Sequence, residues 1–151
     1  MNLQKLFETQ AERNKTLNIL SNLDEYKLNA RKFLALNVRV GALANASKCF
    51  KYWQDDEVID RENILKRYIS TLGCILTVGI DKKYTDIEKV QMRPNDYCLS
   101  DQFLNLYVDI NDLLISSSKD HYITLIEDFL SIGLTIGFGE QEIINSFNSL
   151  H

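Results

Sequence analysis

One proline, Pro94, and six glycines are all the strong backbone punctuation in a chain of 151 residues. A β-sandwich or barrel of this length needs a turn signal roughly every 8–12 residues, and such turns draw on glycine and proline. Long helices need almost none. The apolar residues follow helical spacing in the same sense. Leu3, Leu6, Phe7, Leu17 and Leu20 predict a first helix over roughly residues 2–20. Ser21 to Asp24 breaks that pattern and offers a cap for a second helix from about Glu25 to Trp53. Its broad apolar face is expected to carry Leu28, Phe33, Leu34, Leu36, Val38, Val40, Leu43 and Phe50, and its small residues from Gly41 to Ala46 permit close helix approach. Asp60 is placed to cap a third helix from about Arg61 to Gly79. Residues from about Asp81 to Ser100 have no sustained period and contain the proline, so they predict a long connection with one short helical turn. Ser100 or Asp101 starts a fourth helix, Asp120 caps a fifth, and Glu140 to Leu150 makes a short last one after Gly137-Phe138-Gly139. There is no βαβ alternation, no glycine-rich phosphate loop and no internal repeat. Helix packed on helix is the layer solution left, which predicts an all-α helical bundle forming a single domain over residues 1–151.

Charge and cysteine usage narrow the function. Twenty-one acidic residues against 17 basic ones give a formal net charge of −4, which offers no electrostatic case for nucleic acid as a partner. No apolar run approaches the ~20 residues of a membrane span. The opening Met1-Asn2-Leu3-Gln4-Lys5 runs into helical pattern without a signal-peptide core. A cytoplasmic protein with no membrane role is therefore expected. Cys49, Cys74 and Cys98 are odd in number, widely spaced and free of CxxC pairs, which reads as free thiols rather than a disulfide framework. His121 and His151 are too few and too separated for a zinc site.

Four segments carry a specific resemblance. Leu34-Ala35-Leu36-Asn37-Val38-Arg39-Val40-Gly41-Ala42-Leu43-Ala44-Asn45-Ala46 leads into Ser47-Lys48-Cys49-Phe50-Lys51-Tyr52-Trp53. Upstream stands Leu6-Phe7-Glu8-Thr9-Gln10-Ala11-Glu12-Arg13-Asn14. Downstream stand Tyr68-Ile69-Ser70-Thr71-Leu72-Gly73-Cys74 with Gly79-Ile80, and Asp128 to Leu134 with Gly137-Phe138. In this order the segments resemble the dimeric all-α dUTPase family, within the all-α nucleotide pyrophosphatase superfamily. The resemblance implies a helical bundle, a homodimer and hydrolysis of dUTP to dUMP and pyrophosphate by a magnesium-activated water.

Magnesium needs near-octahedral oxygen coordination. The family supplies it with an ExxE pair on one helix facing an ExxD pair on the next, because i, i+3 spacing sets both carboxylates of a pair on one face. The resemblance places those four positions on Arg39, Ala42, Arg67 and Ser70. A further family glutamate falls on Ala46 and a family histidine on Gly73. No Asp or Glu occurs from residue 26 to 54 or from 63 to 80. A guanidinium stays charged and repels a divalent cation. The chain is thus expected to bind no catalytic metal, to need no cofactor and to be inactive as a hydrolase. An active enzyme drawing its ligands from Asp55, Asp56, Glu57 or Asp128 is the weaker reading, since these acids lie in turns or off the expected face.

The recognition positions keep the family's residue types. Gln10 and Asn14 correspond to amides on the uracil side, and Lys48, Lys51 and Trp53 to basic and aromatic positions near the phosphates and base. Taken singly, each is also what a solvated helix face or a helix-end core carries. Their order within the resemblance is what assigns them to a deoxyuridine nucleotide. The family continues past its last helix with a phosphate-binding tail, whereas this sequence stops at Ser149-Leu150-His151, so fewer phosphate contacts are expected. The competing expectation is a non-enzymatic dimeric helical protein that reuses the fold to contact a protein partner.

Overall fold

The computed structural model describes residues 1–150. Within them the chain forms six helices and no sheet: α1 Gln4–Asn14, α2 Glu25–Ser47, α3 Arg61–Asp81, α4 Leu99–Ile115, α5 Lys119–Ile136 and α6 Glu140–Ser149. The all-α architecture expected from the sparse punctuation is what forms. No single helix among the described residues is long and apolar enough to cross a membrane. His151 lies outside the described residues.

Helix α3 is the hub. Its buried positions run from Ile64 through Tyr68, Leu72 and Ile75 to Val78 and Gly79, a wider share of its surface than one stripe. It packs on α1, α2, α5 and α6, while α4 pairs with α5 and touches α2. One apolar cluster draws from all six helices, including Phe7, Leu36, Leu72, Leu106, Phe129 and Phe147. Two glycines let helices approach through tyrosines. The Tyr68 ring stacks on Phe129 at a centroid distance of 4.2 Å, and its hydroxyl donates to the Phe129 carbonyl at 2.9 Å. A Cβ at Gly133 would overlap that hydroxyl. Tyr122 repeats the arrangement, donating to the Ile75 carbonyl at 2.9 Å where Gly79 leaves room for it. Burial pushes both phenols well above their ordinary range.

Several helix ends differ from the sequence expectation. Helix α1 stops at Asn14 rather than near residue 20, leaving Leu17 and Leu20 63% and 59% exposed. The Thr16 hydroxyl and amide both turn back onto the Arg13 carbonyl, so the chain closes where apolar spacing alone predicts continuation. Helix α2 stops at Ser47, because Lys48 takes the left-handed conformation at φ 58° with its amide on the Ala44 and Asn45 carbonyls. The Cys49 to Trp53 run is therefore loop. Ser118, not Asp120, caps α5 by accepting from the His121 amide at 3.1 Å. Helix α4 begins one residue before Ser100, with Cys98 at its N-cap. The connection after α3 contains turns but no helix. It is tied to the N-terminal segment instead: the Leu3 amide donates to Glu88 and the Val90 amide to Met1, which buries Ile87 and Val90.

Candidate functional site

Helices α2 and α3 run antiparallel, as their facing residues show. Lys32 pairs with Asp81 at 2.7 Å, Arg39 lies beside Cys74, and Ala42 shares a depression with Arg67. The groove between them is closed at one end by α1, which packs on α3. Gln10, Arg13 and Asn14 fall on one face of α1 by helical spacing. They meet Gly73 and Thr77 of α3.

At this end lies a cavity of about 450 Å³ lined by Gln10, Arg13 and Asn14 of α1, Lys32, Ala35 and Arg39 of α2, and Ser70, Gly73, Cys74 and Thr77 of α3. Leu17, Ile69, Phe147 and Leu150 make its apolar wall. The Gln10 amide donates to Asn14 Oδ1 at 2.9 Å, and the Asn14 amide donates to Thr77 Oγ1 at 3.2 Å. The Asn14 amide thus tethers α1 to α3, and Gln10 braces it within α1. Gln10 Oε1 lies 3.0 Å from where a Cβ on Gly73 would stand, so the glycine at this position is what lets the amide lie against α3. A bulky side chain there would push Gln10 away. Arg13 donates to the Phe147 and Leu150 carbonyls at 2.6 Å and sits over the Phe147 ring at 4.4 Å, holding the end of α6. Burial raises the Cys74 thiol above its ordinary range, against the opposing pull of the adjacent Arg39 guanidinium.

The four family metal positions do not share one cavity. Arg39 and Ser70 line the 450 Å³ cavity, whereas Ala42 and Arg67 line a neighbouring depression of about 240 Å³ with Ala46, Lys48 and Asp60. No carboxylate stands at any of the four. Among the described residues no group of three or more His, Cys, Asp or Glu side chains is arranged to hold a metal. The donor set does not fit magnesium.

The other three recognition candidates lie further along the groove. Lys48, Lys51 and Trp53 line a separate, open depression of about 650 Å³ with Asp55, Asp56 and Glu57. By helical rise, Lys48 stands roughly 14 Å along α2 from Arg39. Lys51 is held there by Asp55 at 2.7 Å and by Glu57, and the Trp53 indole donates to Asp55 at 3.0 Å. Hydrogen bonds to Asp55 and Glu57 push the Lys51 ammonium up, and hydrogen bonds from Lys51 hold both carboxyls low. These acids neutralise the lysines that the resemblance assigns to phosphate. Asp128 is elsewhere again, accepting from Asn105 at 3.0 Å on the α4/α5 side. The structure therefore brings Gln10 and Asn14 together with Arg39 and Ser70, and keeps Lys48, Lys51 and Trp53 apart from them.

Sequence reasoning overlooked Arg13, Lys32, Cys74 and Thr77 as cavity residues. Arg13 and Asn14 flank the same helical face as Gln10, and Thr77 lies one turn beyond Gly73, so the i, i+3 and i, i+4 steps from the chosen residues held the signal. A family model described as dUTPase matches residues 2–151. No curated protein and no solved structure matches the chain significantly.

Proposed function

Because the chain belongs to the all-α dUTPase family over residues 2–151, we propose that it is a catalytically inactive dUTPase-like protein that retains weak, metal-independent binding of a deoxyuridine nucleotide. The observation that carries this reading is the donor set of the α2/α3 groove. Arg39, Ala42, Arg67 and Ser70 occupy the four carboxylate positions, and no acid lies in either helix between Glu62 and Asp81 or between Glu25 and Asp55. A water is activated near neutral pH by a bound cation, and this groove repels one. The amides support the binding half of the proposal. Gln10 and Asn14 still face a cavity within the size range of nucleotide pockets, and Gln10 Oε1 has no hydrogen-bond donor among the described residues. That carbonyl can accept from the ring N–H of a pyrimidine.

A homodimer belongs to the same proposal. Leu34 and Val38 on α2, and Leu104 and Val108 on α4, are all more than half exposed and flank the contact where the Tyr107 hydroxyl donates to the Asn37 carbonyl. Apolar residues gathered on two adjoining helices are what a partner surface covers. A second reading, contact with a different protein partner, is favoured by the loop after α2, where Tyr52 is 94% and Val58 88% exposed.

The test rebuilds the metal site. Arg39→Glu, Ala42→Glu, Arg67→Glu and Ser70→Asp together restore the two facing carboxylate pairs. In metal-free buffer the variant should melt below the parent, since four carboxylates crowd one groove. Added magnesium should then raise its melting temperature by linkage while leaving the parent unmoved. A parent that itself gains stability from magnesium would overturn the proposal.

A further inference from the structure

The cavity between α1, α2 and α3 has changed its electrostatic sign relative to a metal site. Its charged lining residues are Arg13, Lys32 and Arg39, and no Asp or Glu is among them. The three cations are not equivalent. Lys32 is paired with Asp81, and Arg13 is committed to the Phe147 and Leu150 carbonyls. Arg39 has no carboxylate partner among the described residues, and it lies beside the Cys74 thiol. It is exposed, so it can reach a ligand without being desolvated first. Across the cavity stand the Gln10 and Asn14 amides and the Phe147 ring.

From this arrangement we infer that Arg39 is an anion-binding residue: the guanidinium at a former carboxylate position binds directly the phosphate of a pyrimidine nucleoside monophosphate whose base faces Gln10. A planar guanidinium makes paired hydrogen bonds to phosphate oxygens, and such charge-assisted bonds are the strong ones. No cation is needed to bridge protein and phosphate. The inference rests on the proposed pyrimidine site for the base end of the ligand, but not for the anion end.

Calorimetric titration of the full chain in EDTA separates the two ends, using deoxyuridine, its 5′-monophosphate and inorganic phosphate as probes. The monophosphate should bind about tenfold or more tighter than the nucleoside, the scale of one charge-assisted contact. Magnesium should leave that gap unchanged. Arg39→Gln should abolish the gap while keeping the parent's affinity for deoxyuridine, and Lys66→Gln, an equal charge change elsewhere on exposed α3 surface, should keep it. Phosphate binding that depends on Arg39 without any deoxyuridine binding supports the anion site and removes the pyrimidine site. Equal affinity for nucleoside and monophosphate, or a gap that survives Arg39→Gln, overturns the anion site and leaves the pyrimidine site standing. Absence of binding by all three probes overturns both.

Discussion

Single side chains decide how closely the helices approach. Gly133 and Gly79 stand where the Tyr68 and Tyr122 hydroxyls press against helix backbone, and each tyrosine is fully buried with its hydroxyl bonded to a carbonyl. A methyl group at either glycine must displace a fully buried ring. Gly133→Ala and Gly79→Ala should each cost about 1–3 kcal/mol, the scale of core overpacking. Melting temperatures measured by circular dichroism should fall by roughly 2–4 °C per kcal/mol for a chain of this size. An unchanged melting temperature would show that the tyrosines can step aside. At this scale the sequence was only partly legible. The Tyr68 and Gly133 segments were visible as family-like motifs, but their contact joins positions 65 residues apart and carries no local signature. The identity of the residues at 39, 42, 67 and 70 needed no structure at all, because chemistry alone excludes arginine and alanine as magnesium ligands.

Pairs of elements add properties that no single residue shows. Between α4 and α5, Asp109 is 7% exposed and its Oδ2 has no hydrogen-bond partner. Burial, reinforced by the facing Asp128 and by Asp112, raises its carboxyl to about 8. An unfolded aspartate releases its proton near ~3.9. Between those values the folded chain holds the extra proton, so this group's contribution to stability is full at low pH and declines as pH rises, levelling off above about 8. Asp109→Asn should remove that decline. Its melting temperature should change less than the parent's between about pH 5 and about pH 9, and parallel pH profiles would refute the assignment. The helices themselves were legible in type and order from period and sparse punctuation. Their ends were not, because Thr16 and Lys48 close α1 and α2 through local hydrogen bonding and a left-handed lysine rather than through glycine or proline. The overextended α2 placed Lys48, Lys51 and Trp53 at a helix end, whereas they follow the helix in a loop clasped by Asp55 and Glu57.

Across the whole molecule, the groove between α2 and α3 carries the proposed nucleotide site, and the exposed apolar residues of α2 and α4 carry the proposed dimer surface. Val38→Glu with Val108→Glu places charges on that apolar surface, so light scattering at micromolar concentration should report a dimer for the parent and a monomer for the variant. A monomeric parent would remove the dimer from the account. The candidate site was legible in its halves but not in its division: the family resemblance set the four metal positions on two helices, yet only the packing shows that Arg39 and Ser70 share a cavity that Ala42 and Arg67 do not line. Family membership describes the fold, and the groove's charge decides the chemistry. The claim that joins them is that this dUTPase-family chain does not turn over dUTP. Formation of dUMP from dUTP, followed by chromatography at saturating magnesium and high protein concentration, tests it directly. The account predicts no product above the protein-free control, and magnesium-dependent dUMP formation that scales with protein concentration would contradict it.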